Sequence, residues 1–206
     1  MTRSALGCYP TRRDGAMRFH IILLGPPGAG KGTQARRLAA HYRLAHLASG
    51  DLLRAEVEAN SPLGQQIASL LAGGQLVPDE MLMPLIAERI AALPSGVGFV
   101  LDGVPRTLNQ AGDLDELLTA LGRPVDAAVL LDVPDEVVME RLLARDRLDD
   151  VPAVIEDRLE IYRRQIGPVC DFYARRHLLR VVDGTDDETT VFQRLVAALN
   201  LPAPPA

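Results

Sequence analysis

Residues 19–34 read FHIILLGPPGAGKGTQ. The first six are a continuous apolar run, the composition of a strand buried on both faces. The next ten are glycine-rich, contain a lysine, and come close to the phosphate-cradling pattern G-x-x-x-x-G-K-[ST]. The match fails at one slot: Gly32 follows Lys31, and the hydroxyl arrives one residue late, at Thr33. Glycines let a backbone wrap an anion without Cβ interference, and the helix that follows adds its positive N-terminal end. Strand, spacing, lysine and hydroxyl coincide, so residues 25–33 are read as a phosphate-binding loop.

Composition singles out the same lysine. Of 22 basic residues, 21 are arginine, and Lys31 is the only lysine in the chain. A compact ammonium fits between phosphates where a planar guanidinium does not. The same count excludes a switch GTPase, whose guanine-reading N-K-x-D motif needs a further lysine. A net charge of −5 and only 4% aromatic residues argue against nucleic acid as a partner. No apolar stretch reaches the roughly 18 residues that cross a bilayer, so no membrane association is expected. Cys8 and Cys170 are too few for a disulfide framework or a four-thiolate metal site, and a reducing cytoplasm is the expected setting. Residues 1–16 lack an apolar signal core and read as a flexible extension, with Met17 as an alternative start. The Pro/Ala end, 201–206, reads as a tail.

Further apolar runs predict strands at 97–101, 127–131 and 178–182, with a weaker fifth near 44–47. Helical patterns cover 34–42, 78–93 and 134–146. Pro134 fixes φ for the last of these, and Asp135 and Glu136 place carboxylates in its positive first turn. Strands alternating with helices predict an α/β fold with a five-stranded parallel sheet covered on both faces. Ligands then collect at the carboxyl ends of the strands. Gly25 to Thr33, Asp102-Gly103 and Asp183-Gly184-Thr185 all follow predicted strands. Residues 48–77 read as an inserted pair of short helices.

Seven blocks carry a resemblance: GPPGAGKGTQA (25–35), LASGDLLR (47–54), GQLVPDE (74–80), LDGVPRTLNQ (101–110), RLLARDRLDD (141–150), DRLEIY (157–162) and VDGT (182–185). In this order they resemble the adenylate kinases and their nucleoside-monophosphate kinase relatives, over nearly the whole chain apart from its ends. The resemblance implies a P-loop three-layer domain over 17–200, a monophosphate-binding insertion at about 48–77 and a lid at about 141–150. It implies the reaction ATP + AMP ⇌ 2 ADP with Mg²⁺, in a chain expected to be monomeric.

Residue roles follow from the same likeness. Gly28, Ala29, Gly30, Lys31, Gly32, Thr33 and Gly184 would hold ATP, with Arg141 stacking on its base. Arg54 and Arg106 match the positions that grip the AMP phosphate, and Arg145, Arg147 and Arg158 the remaining phosphate arginines. Lys31, Arg106, Arg145, Arg147 and Arg158 form the catalytic set. Gln75, Leu76, Val77, Gly103, Val104 and Pro105 match the remaining AMP contacts, and Asp102 would hold Mg²⁺ through water. Asp149 and Asp150 would orient the arginines. Gln110 offers the donor and acceptor that adenine's edge requires, and Ser49 a hydroxyl near the purine; pyrimidine kinases typically resemble Asn and Ala there.

Two features depart from the family pattern. Only Asp146, in place of a hinge glycine, separates Arg145 from Arg147, so the lid is minimal and no structural zinc is expected. Val104 replaces an aromatic residue beside AMP, which predicts weaker AMP binding. A UMP/CMP-type pyrimidine kinase and a catalytically weakened nucleotide-binding regulator are the alternative readings.

Overall fold

The apolar run becomes β1 (His20–Leu24), a strand buried at every residue. The computed structural model describes residues 18–72, 75, 77–145 and 151–201, Arg145 by its backbone alone. β1 lies in the middle of a five-stranded sheet, flanked by β3 (Phe99–Asp102) and β4 (Ala127–Asp132). The edges are β2 (Ala45–Ala48) beside β3 and β5 (Leu179–Asp183) beside β4, and every pairing is parallel. Edge strands are half solvated, which is why their sequences are less continuously apolar: β2 buries only Leu47, and β5 only Val182.

Helices α1 (Lys31–Tyr42), α6 (Asp135–Arg145) and α8 (Glu188–Ala198) cover one face. There Ile21 and Leu23 pack with Leu38, Leu142 and Leu195. The alternate residues Ile22 and Leu24 face α4 (Asp79–Ala91), α5 (Leu108–Ala120) and α7 (Pro152–Ala174), meeting Ile86, Leu114 and Tyr173. A period of two along β1 thus feeds two cores at once. Truncating a wholly buried leucine such as Leu38 to alanine would cost about 2–5 kcal/mol.

The expected insertion consists of α2 (Ser49–Glu58) and α3 (Pro62–Ala72). They cross at Gly64, where a Cβ would lie 2.0 Å from the Glu56 carbonyl oxygen, so only glycine allows this approach. Among the described residues, no helix is long and apolar enough to cross a membrane.

At the opposite end of the sheet from the strand carboxyl ends, the His20 ring stacks on Phe99 with centroids 4.6 Å apart, and its Nδ1 lies 2.9 Å from the Pro124 carbonyl oxygen. The carbonyl only accepts, so Nδ1 carries the proton. Burial lowers the His20 pKa; the Pro124 contact and Asp126 oppose this shift, and Arg123 adds to it. The unfolded chain therefore binds more protons than the folded one as pH falls below about 6.5, and stability drops. His46 is lowered by burial as well and acts in the same direction. The melting temperature is predicted to fall between pH 7.5 and 5.5, and His20→Gln to flatten that slope; an unchanged slope in the variant would remove His20 from the explanation.

Candidate active site

Parallel pairing sets Leu23 opposite Asp102, and Asp102 opposite Ala48, in one row across three strands. The turns that leave these strand ends line a cleft of about 680 Å³. Residues 25–30 leave β1 as a tight loop in which Ala29 N–H donates to the Pro26 carbonyl at 3.1 Å. Gly28, at φ +84°, leaves no room for a side chain: a Cβ would sit 2.8 Å from Leu142 Cγ. α1 begins at Lys31, and its first intrahelical bond runs from Gln34 N–H to Gly30 at 3.0 Å. The amides of Gly32 and Thr33 are therefore left for an anion. Lys31 Nζ donates to the carbonyls of Gly25 and Pro26, each at 2.8 Å, which holds the ammonium over the loop.

The glycine after the lysine has a steric cause. A Cβ at Gly32 would lie 3.3 Å from Asp102 Oδ2, tighter than most side chains tolerate. A side chain at position 32 would stand against the strand-end carboxylate, and the hydroxyl of the loop is supplied by Thr33. Asp102 and Thr33 are oxygen donors of the type a hard divalent ion takes. Asp102 Oδ2 also lies 4.0 Å from His46 Nε2, a buried atom with no hydrogen-bond partner.

Among the described residues six cations line the cleft: Lys31, Arg36, Arg54, Arg106, Arg141 and Arg158. Arg106 Nε donates to the Gly103 carbonyl at 2.7 Å, which fixes the guanidinium at the end of β3. Water reaches this group through the cleft, yet protein surrounds it closely. That crowding lowers its pKa below the usual arginine value; the like charge of Arg158 adds to the shift and Asp102 opposes it. It remains protonated, so it is a cation short of solvation that an anion would stabilise. Arg54 is paired with Asp51 within α2. The edges of Arg141 are taken by the carbonyls of Gly184, Thr185 and Asp186, at 2.9, 2.8 and 3.3 Å. This leaves the flat face of the guanidinium for stacking.

Gln110 is buried and doubly held. Its Oε1 accepts from Arg106 N–H at 2.7 Å, and its Nε2 donates to Asp79 Oδ1 at 2.5 Å. One lone pair and one N–H remain for a ligand. Gln110 N–H in turn donates to Thr107 Oγ1 at 3.1 Å, so T-x-x-Q at 107–110 is also an N-terminal cap of α5. Ser49 Oγ is buried against Gly103 and has no partner.

Of the sequence-derived residues, Gly28 to Thr33, Arg54, Asp102, Gly103, Pro105, Arg106, Arg141, Arg158 and Gly184 come together around the cleft. Val104 does not: it is wholly buried in the second core, just before a cis peptide bond to Pro105. Val77 is buried and Gln75 exposed, both outside the lining, as are Ser49 and Gln110. Leu76, Asp146, Arg147, Asp149 and Asp150 and the Arg145 side chain lie outside the described residues. Arg36, His46 and Asp51 also line the cleft and were not anticipated from the sequence. Helical spacing carried a signal for Arg36, which is three residues past Thr33 and four past Gly32, on the same helix face.

A strand–glycine loop–helix with a lysine at the helix start, facing a strand-end aspartate and a ring of arginines, defines a P-loop protein that handles nucleotide phosphates. The adenylate kinase family model matches residues 23–178. Curated proteins named adenylate kinase align over most of the chain. That of Synechococcus sp. (strain WH7803) is 45% identical over 183 residues, 89% of this chain and 100% of its own length. That of Stenotrophomonas maltophilia (strain K279a) is 43% identical over 185 residues, 88% and 99% of the two chains. That of Synechococcus sp. (strain JA-2-3B'a(2-13)) is 49% identical over 184 residues, 87% and 95%. The chain belongs to the adenylate kinase family.

Replacing Gly32 by alanine separates helix stability from the site. Alanine favours the helix by up to about 1 kcal/mol, while its Cβ crowds Asp102. The ligand-free melting temperature is predicted to hold or rise and the extra stabilisation by Mg·ATP to shrink; a full Mg·ATP shift would show that the contact does not matter.

Proposed function

We propose that the protein transfers the γ-phosphoryl group of Mg·ATP to AMP, giving two ADP, and that the cleft described above is the site. The observation that carries this reading is the cation arrangement around the phosphate loop. Lys31, the start of α1, Arg54, Arg106 and Arg158 all line one cleft of about 680 Å³, a volume that admits a chain of phosphates. A nonbridging oxygen of the AMP phosphate attacks the γ-phosphorus, and the bond from that phosphorus to the β–γ bridging oxygen breaks. The attacking phosphate is already ionised near neutral pH, so no strong general base is required. Catalysis is alignment and neutralisation of a loose, heavily anionic transition state.

In this reading Lys31 leaves the carbonyls of Gly25 and Pro26 to follow the transferred group. Gly28 to Thr33 and Gly184 line the donor side, and Arg141 offers its face to the donor base. Arg106, Arg54 and Arg158 grip the acceptor phosphate, and Arg54 must exchange Asp51 for it. Asp102, through water, and Thr33 would hold Mg²⁺, which would supply charge neutralisation for the donor's phosphates. Gln110 reads adenine with its remaining N–H and lone pair, while Arg106 and Asp79 prevent its amide from turning over. Ser49 stands ready as a hydroxyl for the purine once the insertion at 48–77 closes, bringing Gln75, Leu76 and Val77 toward AMP. The short lid at 141–150 brings Arg145 and Arg147 to the phosphates. The domain at 17–200 acts as a monomer in the cytoplasm, with residues 1–16 and 201–206 outside its working parts. The names of the relatives favour AMP over a pyrimidine acceptor.

The test is ADP formation from Mg·ATP with AMP, CMP, UMP and GMP offered separately. AMP alone is expected to support rapid turnover, and Lys31→Ala to reduce it by on the order of 10²–10³. Preference for CMP or UMP would overturn the role given to Gln110. Binding of ATP and AMP without any ADP would leave a regulator instead of an enzyme.

A further inference from the structure

Arg36 has no part in the roles above, yet it lines the cleft beside Thr33, one of the two groups assigned to the metal. It lies one helical turn past Gly32 and Thr33, and side chains on a helix lean back toward its N-terminus. Its Nη2 donates to Thr33 Oγ1 at 3.4 Å, a long and weak contact. Its Nη1 comes within 3.5 Å of the Cβ position at Gly32, and Asp102 Oδ2 lies 3.3 Å from that same position. Guanidinium and carboxylate therefore flank one small residue from two sides. Among the described residues Arg36 forms no ion pair, with Asp102 or any other carboxylate, and its side chain is exposed to the cleft.

We propose that Arg36 is a resident counter-charge at the metal position, which sets how strongly nucleotide binding depends on a divalent cation. The inference rests on the placement of Mg²⁺ at Asp102. Without the ion, the phosphates of a bound nucleotide face Asp102 across the cleft, and a permanent positive charge beside Thr33 offsets part of that repulsion. When the ion binds, the same guanidinium would repel it, because like charges disfavour each other in a site only partly open to water. Arg36 thus strengthens the metal-free complex and weakens the metal's advantage. Gly32 is part of the same device: a side chain there would stand between Arg36, Thr33 and Asp102.

Calorimetric titration of ATP in EDTA and in saturating Mg²⁺ tests this, using the full chain, Arg36→Gln, Arg36→Lys and Asp102→Asn, each checked by thermal melting. Arg36→Gln is expected to weaken ATP binding in EDTA by about five-fold, with Mg·ATP affinity unchanged or tighter. The factor by which Mg²⁺ improves binding should then grow by at least that amount, and Arg36→Lys should restore most of the metal-free affinity. Equal weakening with and without Mg²⁺ would make Arg36 an ordinary phosphate ligand and overturn the proposal; so would no change in either condition. Asp102→Asn is expected to reduce the benefit of Mg²⁺. If it does not, the metal placement itself is wrong and the proposal falls with it, a failure distinct from that of Arg36 alone.

Discussion

Everything in the site depends on the level parallel register of β1, β3 and β2 at Leu23, Asp102 and Ala48. In a parallel sheet every strand-to-helix turn leaves from the same edge. The phosphate loop, the strand-end carboxylate and the start of α2 therefore meet without any long connection. A one-residue slip of β3 would turn Asp102 into the core and bring an apolar neighbour to the edge. It would also exchange the residues that feed the two cores, so packing on both faces guards the register that the chemistry uses.

The electrostatics of the cleft point away from stability as its purpose. Among the described residues six cations share one cavity, and the pKa of Arg106 is lowered by the protein packed around it and further by the like charge of Arg158. Such an arrangement raises the energy of the ligand-free fold and is relieved by anions, as expected of a binding site and not of a core. Local contacts restrain these charges meanwhile: loop carbonyls for Lys31, Asp51 for Arg54, and the β5–α8 carbonyls for Arg141. In the role proposed for it, Gln110 would link base reading to the scaffold in the same way. Because it holds both Arg106 N–H and Asp79, its orientation is set by the entry into α5 and the first turn of α4.

The central strands were legible because two buried faces demand an unbroken apolar run, and β1 shows that plainly. The β2 edge strand was faint because only one of its four residues is buried. Lys31, Asp102 and Arg106 were legible because each follows a strand end, where a parallel sheet collects its ligands. Arg36 and His46 escaped because they belong to regular elements, α1 and β2, and enter the site through helical spacing and edge pairing, not through a motif. Val104 shows the reverse. Its position inside a site motif implies contact with the nucleotide, yet it packs wholly within the second core, where a larger aromatic side chain would have to displace neighbours. The cap formed by Thr107 and Gln110 was written in the sequence as T-x-x-Q, but its claim on Gln110 appears only once the Arg106 and Asp79 contacts are seen.

If one cleft holds donor and acceptor together, as proposed, the product of the forward reaction occupies both places. The most direct measurement is the number of ADP molecules bound per chain at saturation with Mg²⁺, by calorimetry or equilibrium dialysis. Two per chain are expected. One per chain, with an active and fully folded sample, would contradict a site built for two nucleotides.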